Sequence, residues 1–323
     1  MQAAVYHARG PARSVLGIVE LPDPEPGPGE VRVRVRVSGV NPTDWKARSG
    51  GAPLPGFWQI PGQDGAGEID AVGEGVDAAR DGKRVWVYHA AAGRANGTAA
   101  QYTCVPAEQA VPLPEGVSLA QGAGLGIPYV TAHRCVFADG PVAGRTLLVT
   151  GGAGAVGHAV IELARWGGAQ VLATVSSEEK KRLALAAGAS EVFDYRAADF
   201  VAQVRAAAPA GVERIIDVAI ATNLASDLAV LAPHGVIVAY ASDASDPSLP
   251  VRRLMTANAT LQFVLVYNLS PGMLEQAVME ITEALQAKAL TPLPEHHFAL
   301  RDIAAAHEAV EAGATGRVLI DIP

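Results

Sequence analysis

The sequence predicts an α/β protein of two domains, a β-rich one at the N-terminus and a doubly wound parallel sheet after it. Three observations carry this. Residues 145–157, RTLLVTGGAGAVG, run from a short apolar stretch (Leu147, Leu148, Val149) into a Gly152-x-Gly154-x-x-Gly157 turn. A helical pattern follows at once, with Val160, Ile161, Leu163 and Ala164 on one side. From about Gly144 onward, strand-length apolar runs alternate with helical segments, whereas the residues before it are rich in Gly, Pro and short alternating strands.

The elements follow in order. Residues 31–37 alternate valine and arginine, which puts four valines on one face of a strand and three arginines on the other. The arginine face is expected to be solvated or to meet acidic neighbours rather than to form a basic binding strip. Further strands are predicted over 67–72, 84–88 and 100–105, giving a compact barrel-like region to about residue 120. In the second domain the pattern predicts strands over 146–150, 170–174, 191–194, 214–218 and 235–240. Helices lie between them, such as 178–187, which ends at Gly188. A strand over 261–267 then precedes an amphipathic helix over 272–287. The tail 298–322 offers a short helix and a closing strand that return to the first domain. The expected division is 1–121 with 268–323 against 122–267.

Composition narrows the function. Half of the 323 residues are hydrophobic and aromatics are only 5%, which suits close-packed α/β layers. The net charge of −8 argues against a nucleic-acid backbone as partner. The most apolar region, 215–241, is broken by Asp217, Asp227, Pro233 and Gly235, so no membrane span is expected. The first ten residues lack the apolar core of a signal peptide, and a cytoplasmic protein is expected. Cys104 and Cys135 form no CxxC and are expected to be small buried residues, and the eight histidines show no metal spacing.

The Gly152–Gly157 turn has the order that a dinucleotide fingerprint needs. One glycine makes the turn, another admits backbone N–H groups to a pyrophosphate, and a third lets helix and strand pack closely. The helix N-terminus then presents its partial positive charge to the phosphates. The cofactor type is read at the end of the next strand, where an acidic residue would favour NAD. The chain has instead Thr174, Ser176, Ser177 and, one turn into the helix, Lys180. Hydroxyls and an ammonium suit a 2′-phosphate and so NADPH over NADH, with Glu178 and Glu179 read as first-turn residues favoured by the helix dipole.

With these residues in view, the chain resembles the zinc-independent quinone oxidoreductases of the medium-chain dehydrogenase/reductase superfamily, the zeta-crystallin-like group. Besides the fingerprint, the resemblance rests on Gly39-Val-Asn-Pro-Thr-Asp44, Pro61-Gly-Gln-Asp-Gly-Ala-Gly67, Val72-Gly-Glu-Gly-Val76 and Gly126-Ile-Pro-Tyr-Val-Thr-Ala132. Asp194-Tyr-Arg196, Ala306-His-Glu308 and Thr315-Gly-Arg317 complete it. It implies a GroES-like β-rich catalytic domain plus a Rossmann domain, with the active site in the interdomain cleft. Zinc-dependent members carry Cys where this chain has Asn41, and Gly-His-Glu where it has Gly62-Gln63-Asp64. An amide and a carboxylate make a poor zinc site, so no metal is expected. Without a Lewis acid to stabilise an alkoxide, a conjugated acceptor is favoured over simple alcohol–aldehyde exchange.

The resemblance also implies site residues. Ala153, Gly154, Ala155, Val156 and Gly157 cradle the pyrophosphate. Lys180 meets the 2′-phosphate, and Tyr195 flanks the adenosine end. Asn223, Tyr240, Ala241, Ser242, Val264 and Leu265 line the path to the nicotinamide, near which Thr131 lies. On the substrate side the expected residues are Asn41 and Lys46. Lys46 stands where quinone reductases have Tyr and related alkenal and enone reductases have Lys. It either hydrogen-bonds the acceptor carbonyl, stabilising enolate charge, or contacts cofactor phosphate or solvent. The implied activity is NADPH:quinone oxidoreduction by hydride transfer, with 2-alkenal or enone reduction as the alternative. A non-catalytic structural or RNA-binding role is the third reading. A homodimer or homotetramer is expected, formed through the edge strand 261–267.

Overall fold

The valine–arginine alternation becomes the centre of the first sheet. In the computed structural model, which describes residues 1–50, 54–242 and 246–323, the strand Glu30–Val40 buries Val31, Val33 and Val35 almost completely. On its other face the guanidinium of Arg32 donates to Asp70 at 2.9 Å, while Arg34 is exposed. The arginine face is thus partly paired with acid and partly solvated. The strand is antiparallel to Asp64–Val72, Tyr102–Pro106 and Arg317–Asp321. With Glu295–Ala299, Arg84–Val87 and Ala110–Pro112 these make one seven-stranded sheet. Its core gathers small and β-branched side chains: Val31, Val33, Val35, Ile60, Ile69, Val85, Val87, Val105, Val318 and Ile320.

The second unit is a six-stranded parallel sheet in the order Glu191–Asp194, Gln170–Val175, Thr146–Val149, Val212–Asp217, Leu231–Ala239, Thr260–Phe263. That is the doubly wound order with its switch point beside Thr146–Val149, where such sheets bind dinucleotides. Strands buried on both faces need continuous apolar runs, and Leu147, Leu148, Val149, Ile215, Ile216, Ile237 and Val238 are at most 1% exposed. The fingerprint helix Ala155–Trp166 buries Val160, Ile161, Leu163 and Ala164 as its periodicity requires. Glu162 on this helix accepts from the Tyr129 hydroxyl at 2.7 Å. It also accepts from the N–H and hydroxyl of Thr291 at 2.7 and 2.6 Å, which pins both ends of the unit.

The compact units are residues 1–127 with 294–323, and residues 128–293. The expected second division at 267/268 therefore moves to 293/294. The reason is packing: helix Pro271–Gln286 buries Ala277, Ile281, Ala284 and Leu285 and sits against the fingerprint helix. The predicted strand 261–267 is shorter, Thr260–Phe263, because the chain turns through a 3₁₀ helix at Val266–Asn268. No helix among the described residues is long and apolar enough to cross a membrane.

Candidate functional site

In the first unit, strand Glu30–Val40 gives way at Asn41 to helix Pro42–Ser49, with Pro at its first position, where the missing N–H costs nothing. Asp44 reaches back to the Asn41 N–H at 2.7 Å, a helix-capping contact. The Asn41 side chain is fully buried and held at both ends. Its Nδ2 donates to Asp64 Oδ2 at 2.7 Å, and its Oδ1 accepts from Arg317 Nη1 at 3.0 Å. Asp64 accepts further from the Ile127 N–H at 2.9 Å, where Gly126 allows the approach: a Cβ there would stand 2.1 Å from Asp64 Oδ1. Burial pushes the Asp64 carboxyl up to about 6, with Arg317 pulling against it. Asp44, also fully buried and near Asp64, is pushed up to about 7.

This chain of guanidinium, amide and carboxylate decides the metal question on donor chemistry. A catalytic zinc takes three protein ligands from Cys, His and carboxylate. Here one carboxylate is spent on hydrogen bonds, an amide is spent at both ends, and a permanent cation adjoins them. These residues do not fit zinc. Among the described residues no group of three or more His, Cys, Asp or Glu is placed to hold a metal. Asn41, expected on the substrate side, is a fully buried link in this chain of hydrogen bonds. Lys46 is exposed on helix Pro42–Ser49, its ammonium 5.9 Å from the centre of the Trp45 ring.

In the second unit the fingerprint residues form a turn tied to the neighbouring strand. Gly151 takes φ +67°, and its N–H reaches the Thr174 hydroxyl at 3.4 Å, while Gly152 N–H donates to the Thr174 carbonyl at 2.9 Å. The helix starts at Ala155 with Gly154 as its cap, so the N–H groups of its first turn have no helical acceptor. A Cβ on Gly157 would stand 2.3 Å from the Gly151 carbonyl oxygen, which is why glycine is required there. Gly152 likewise faces Ala173 Cβ and Ile161 Cδ1 within 3.1 Å.

Beyond strand Gln170–Val175, Lys180 Nζ lies 3.4 Å from Ser176 Oγ, and Ser177 caps helix Glu178–Ala186 through Lys180 N–H. Arg196 closes the group: its guanidinium holds Asp194 and donates to the Ser176 carbonyl. A cavity of about 290 Å³ opens here, lined among others by Ser177, Lys181, Asp194 and Arg196. Tyr195 is 52% exposed beside it. Asn223 donates to Asp217 at 3.1 Å, and Tyr240 is half-buried, with desolvation of its hydroxyl pushing the pKa up. Val264 is buried, Leu265 and Ser242 are exposed, Ala241 is half-buried, and Thr131 is buried in helix Gly126–Phe137. The structure thus groups Thr174, Ser176 and Lys180 around one strand end, and Asn223 and Tyr240 around Asp217. Sequence reasoning did not place Arg196, Arg317 or Asp217 in a site. Asp217 had a signal, a charge closing the apolar run Ile215-Ile216, but Arg317 met its partners only through folding.

Comparison with known proteins adds the following. Residues 27–115 match the alcohol dehydrogenase GroES-like domain, and residues 155–283 match the zinc-binding dehydrogenase family. The quinone oxidoreductase of Rattus norvegicus is 32% identical over 287 residues, 87% of this chain and 86% of its own length. Among solved structures, the mycobacterial Rv1454c complexed with NADPH superposes with a TM-score of 0.87 at 30% identity, covering 99% of this chain and 100% of that one. An NAD-dependent alcohol dehydrogenase gives a TM-score of 0.90 at 26% identity, with 100% of both chains covered.

Proposed function

We propose, from the premise that this chain belongs to the zinc-independent quinone oxidoreductases of the medium-chain dehydrogenase/reductase superfamily, that it is an NADPH:quinone oxidoreductase. The observation that carries the reading is the Arg317–Asn41–Asp64 chain, which leaves no donors for zinc. A carbonyl reduced without a Lewis acid must spread the incoming electrons itself, as a quinone or an enone does. When bound, NADPH supplies the hydride.

The chain's own residues do the rest. N–H groups of residues 153–157 hold the pyrophosphate, and Ser176, Lys180 and Arg196 hold the 2′-phosphate. The choice of NADPH over NADH is supported by those three groups and by the relative solved with NADPH. Lys180→Glu is expected to weaken NADPH binding by roughly tenfold to a hundredfold, the loss of one or two charge-assisted contacts, with NADH affinity little changed. Matching titration curves for the two cofactors on this variant would refute the assignment.

On the substrate side, Lys46 is exposed and donates to the acceptor carbonyl, while Thr131 lines the nicotinamide end. That ammonium favours a second reading, reduction of α,β-unsaturated carbonyls, because it stabilises enolate charge. NADPH oxidation followed in parallel with 1,4-benzoquinone, 9,10-phenanthrenequinone and a short 2-alkenal separates the two. Quinone turnover is expected, and bound NADPH without turnover of any acceptor would sink both readings. In the same assay Lys46→Ala is expected to lower kcat by about a hundredfold, with NADPH affinity kept.

The protein works as a homodimer or larger assembly. Among the described residues Thr260–Phe263 is an edge strand paired on one side only, and Phe263 on it and Leu265 just after it are both more than half exposed. Light scattering at micromolar concentration is expected to return at least twice the chain mass, and a monomer would refute it.

A further inference from the structure

Two buried carboxyls in the second unit take no part in the chemistry above. Asp217 closes strand Val212–Asp217 and is fully buried, and Asp227, on helix Ile220–Val230, is 3% exposed. Donors crowd one oxygen of Asp217. Its Oδ1 accepts from the Thr150 hydroxyl at 3.2 Å, Asn223 Nδ2 at 3.1 Å and the Ala219 N–H at 2.5 Å. Its Oδ2 is buried without a donor, and so is Oδ2 of Asp227. The two side chains lie within hydrogen-bonding reach of one another. Two ionised carboxylates cannot stay in contact at that depth, whereas one proton held between them satisfies both.

We infer that Asp217 and Asp227 form a proton-sharing pair, Asp227 donating its carboxyl hydrogen to the Asp217 carboxylate, and that this pair positions the cofactor cradle. The pair carries one proton and one negative charge. Three donors stabilise that charge on Asp217, so the proton resides on Asp227. Burial, and then Asp217 itself, hold the Asp227 carboxyl at about 10. The Tyr240 hydroxyl also faces Asp217 and is kept neutral by desolvation and by that charge. Through its charged oxygen Asp217 ties three segments together: Thr150, which leads into Gly151 and Gly152; Ala219, in the turn after the strand; and Asn223, on the helix. Val218 N–H donates to the same Thr150 hydroxyl at 3.0 Å. The ligand named here rests on the NADPH reading, but the pair itself does not.

Infrared spectroscopy of the ligand-free protein at about pH 8.5, where ordinary carboxyls are ionised, tests the pair directly. The wild type is expected to show the carbonyl stretch of a protonated carboxylic acid, and Asp227→Asn to lose it. The amide of that variant supplies an N–H in place of the proton, so NADPH titrated by fluorescence should bind within about twofold of wild type. Asp227→Ala leaves Asp217 Oδ2 without its donor and is expected to weaken NADPH roughly tenfold. Absence of the band from the wild type, its persistence in Asp227→Asn, or unchanged NADPH binding in Asp227→Ala would each overturn the inference. Failure of the wild type to bind NADPH would instead count against the cofactor assignment, with the band still deciding the pair.

Discussion

Gly157→Ala is expected to lose nicotinamide-cofactor binding by roughly a hundredfold or more, and about 1–3 kcal/mol of stability with it. The added Cβ would stand 2.3 Å from the Gly151 carbonyl oxygen and 3.0 Å from Gly152 Cα. Both are backbone atoms of a turn already fixed by hydrogen bonds to Thr174, so no flexible side chain can give way. The turn must open or the helix Ala155–Trp166 must withdraw, and either change moves the N–H groups that would meet a pyrophosphate. Gly154→Ala is the internal control, since its Cβ would meet the Gly151 oxygen at 3.3 Å, a contact that a shift of a few tenths of an ångström relieves. Calorimetric titration of both variants with NADPH decides it. Equal affinities for the two would mean that close approach of helix and turn is not what this glycine provides.

Arg317→Met is expected to destabilise the first unit by roughly 3–5 kcal/mol near pH 8, because a buried carboxylate loses its cation. Asn41 Oδ1 is orphaned at the same time. The loss should depend on pH in a definite direction. Asp64 is held at about 6, above the ~3.9 of an unfolded aspartate. The folded chain therefore keeps this proton more tightly, and Asp64 lowers stability as pH climbs from ~4 to ~6, with no further cost above. Removing Arg317 raises the folded value, so the cost keeps growing above pH ~6. Thermal melts of wild type and variant should differ by a modest gap at about pH 5, where only the contact to Asn41 is lost, and by a much wider one at about pH 8. A gap independent of pH would show that the guanidinium acts by packing alone. Adding Asp64→Asn to the variant should recover most of the deficit at the higher pH.

The wound sheet was legible because each of its signals is local. Strand Thr146–Val149, the glycine turn and the apolar face of the next helix lie within about twenty residues, and periodicity alone orders them. The first strand of the other unit was legible for the same reason, since alternation fixes which face the valines take. What escaped depended on partners distant in sequence. Asn41 reads as a substrate-side residue in a family motif, and its bond to Arg317, 276 residues on, which makes it a buried link, could not be read from that motif. Helix Pro271–Gln286 was recognised from its own stripe, but a stripe does not say which surface it covers, and so the second division was misplaced. The pairing of Asp227 with Asp217 was hidden as well, because a carboxyl in a helix reads as solvent-facing until the fold buries it.

The closing strand Arg317–Asp321 bears on how the molecule is made. It pairs with residues 37–40 of the first sheet, yet the whole of residues 128–293 is synthesised between them. A nascent chain must therefore hold that sheet margin open until residues 317–321 leave the ribosome, a long-range closure that is slow and leaves a strand edge liable to aggregate. Arg317 arrives with that strand, so the charge that organises Asn41 and Asp64 is delivered only after the whole of the second unit. Termination before residue 317 would release a chain with a complete dinucleotide fold and a first sheet that lacks the strand Arg317–Asp321.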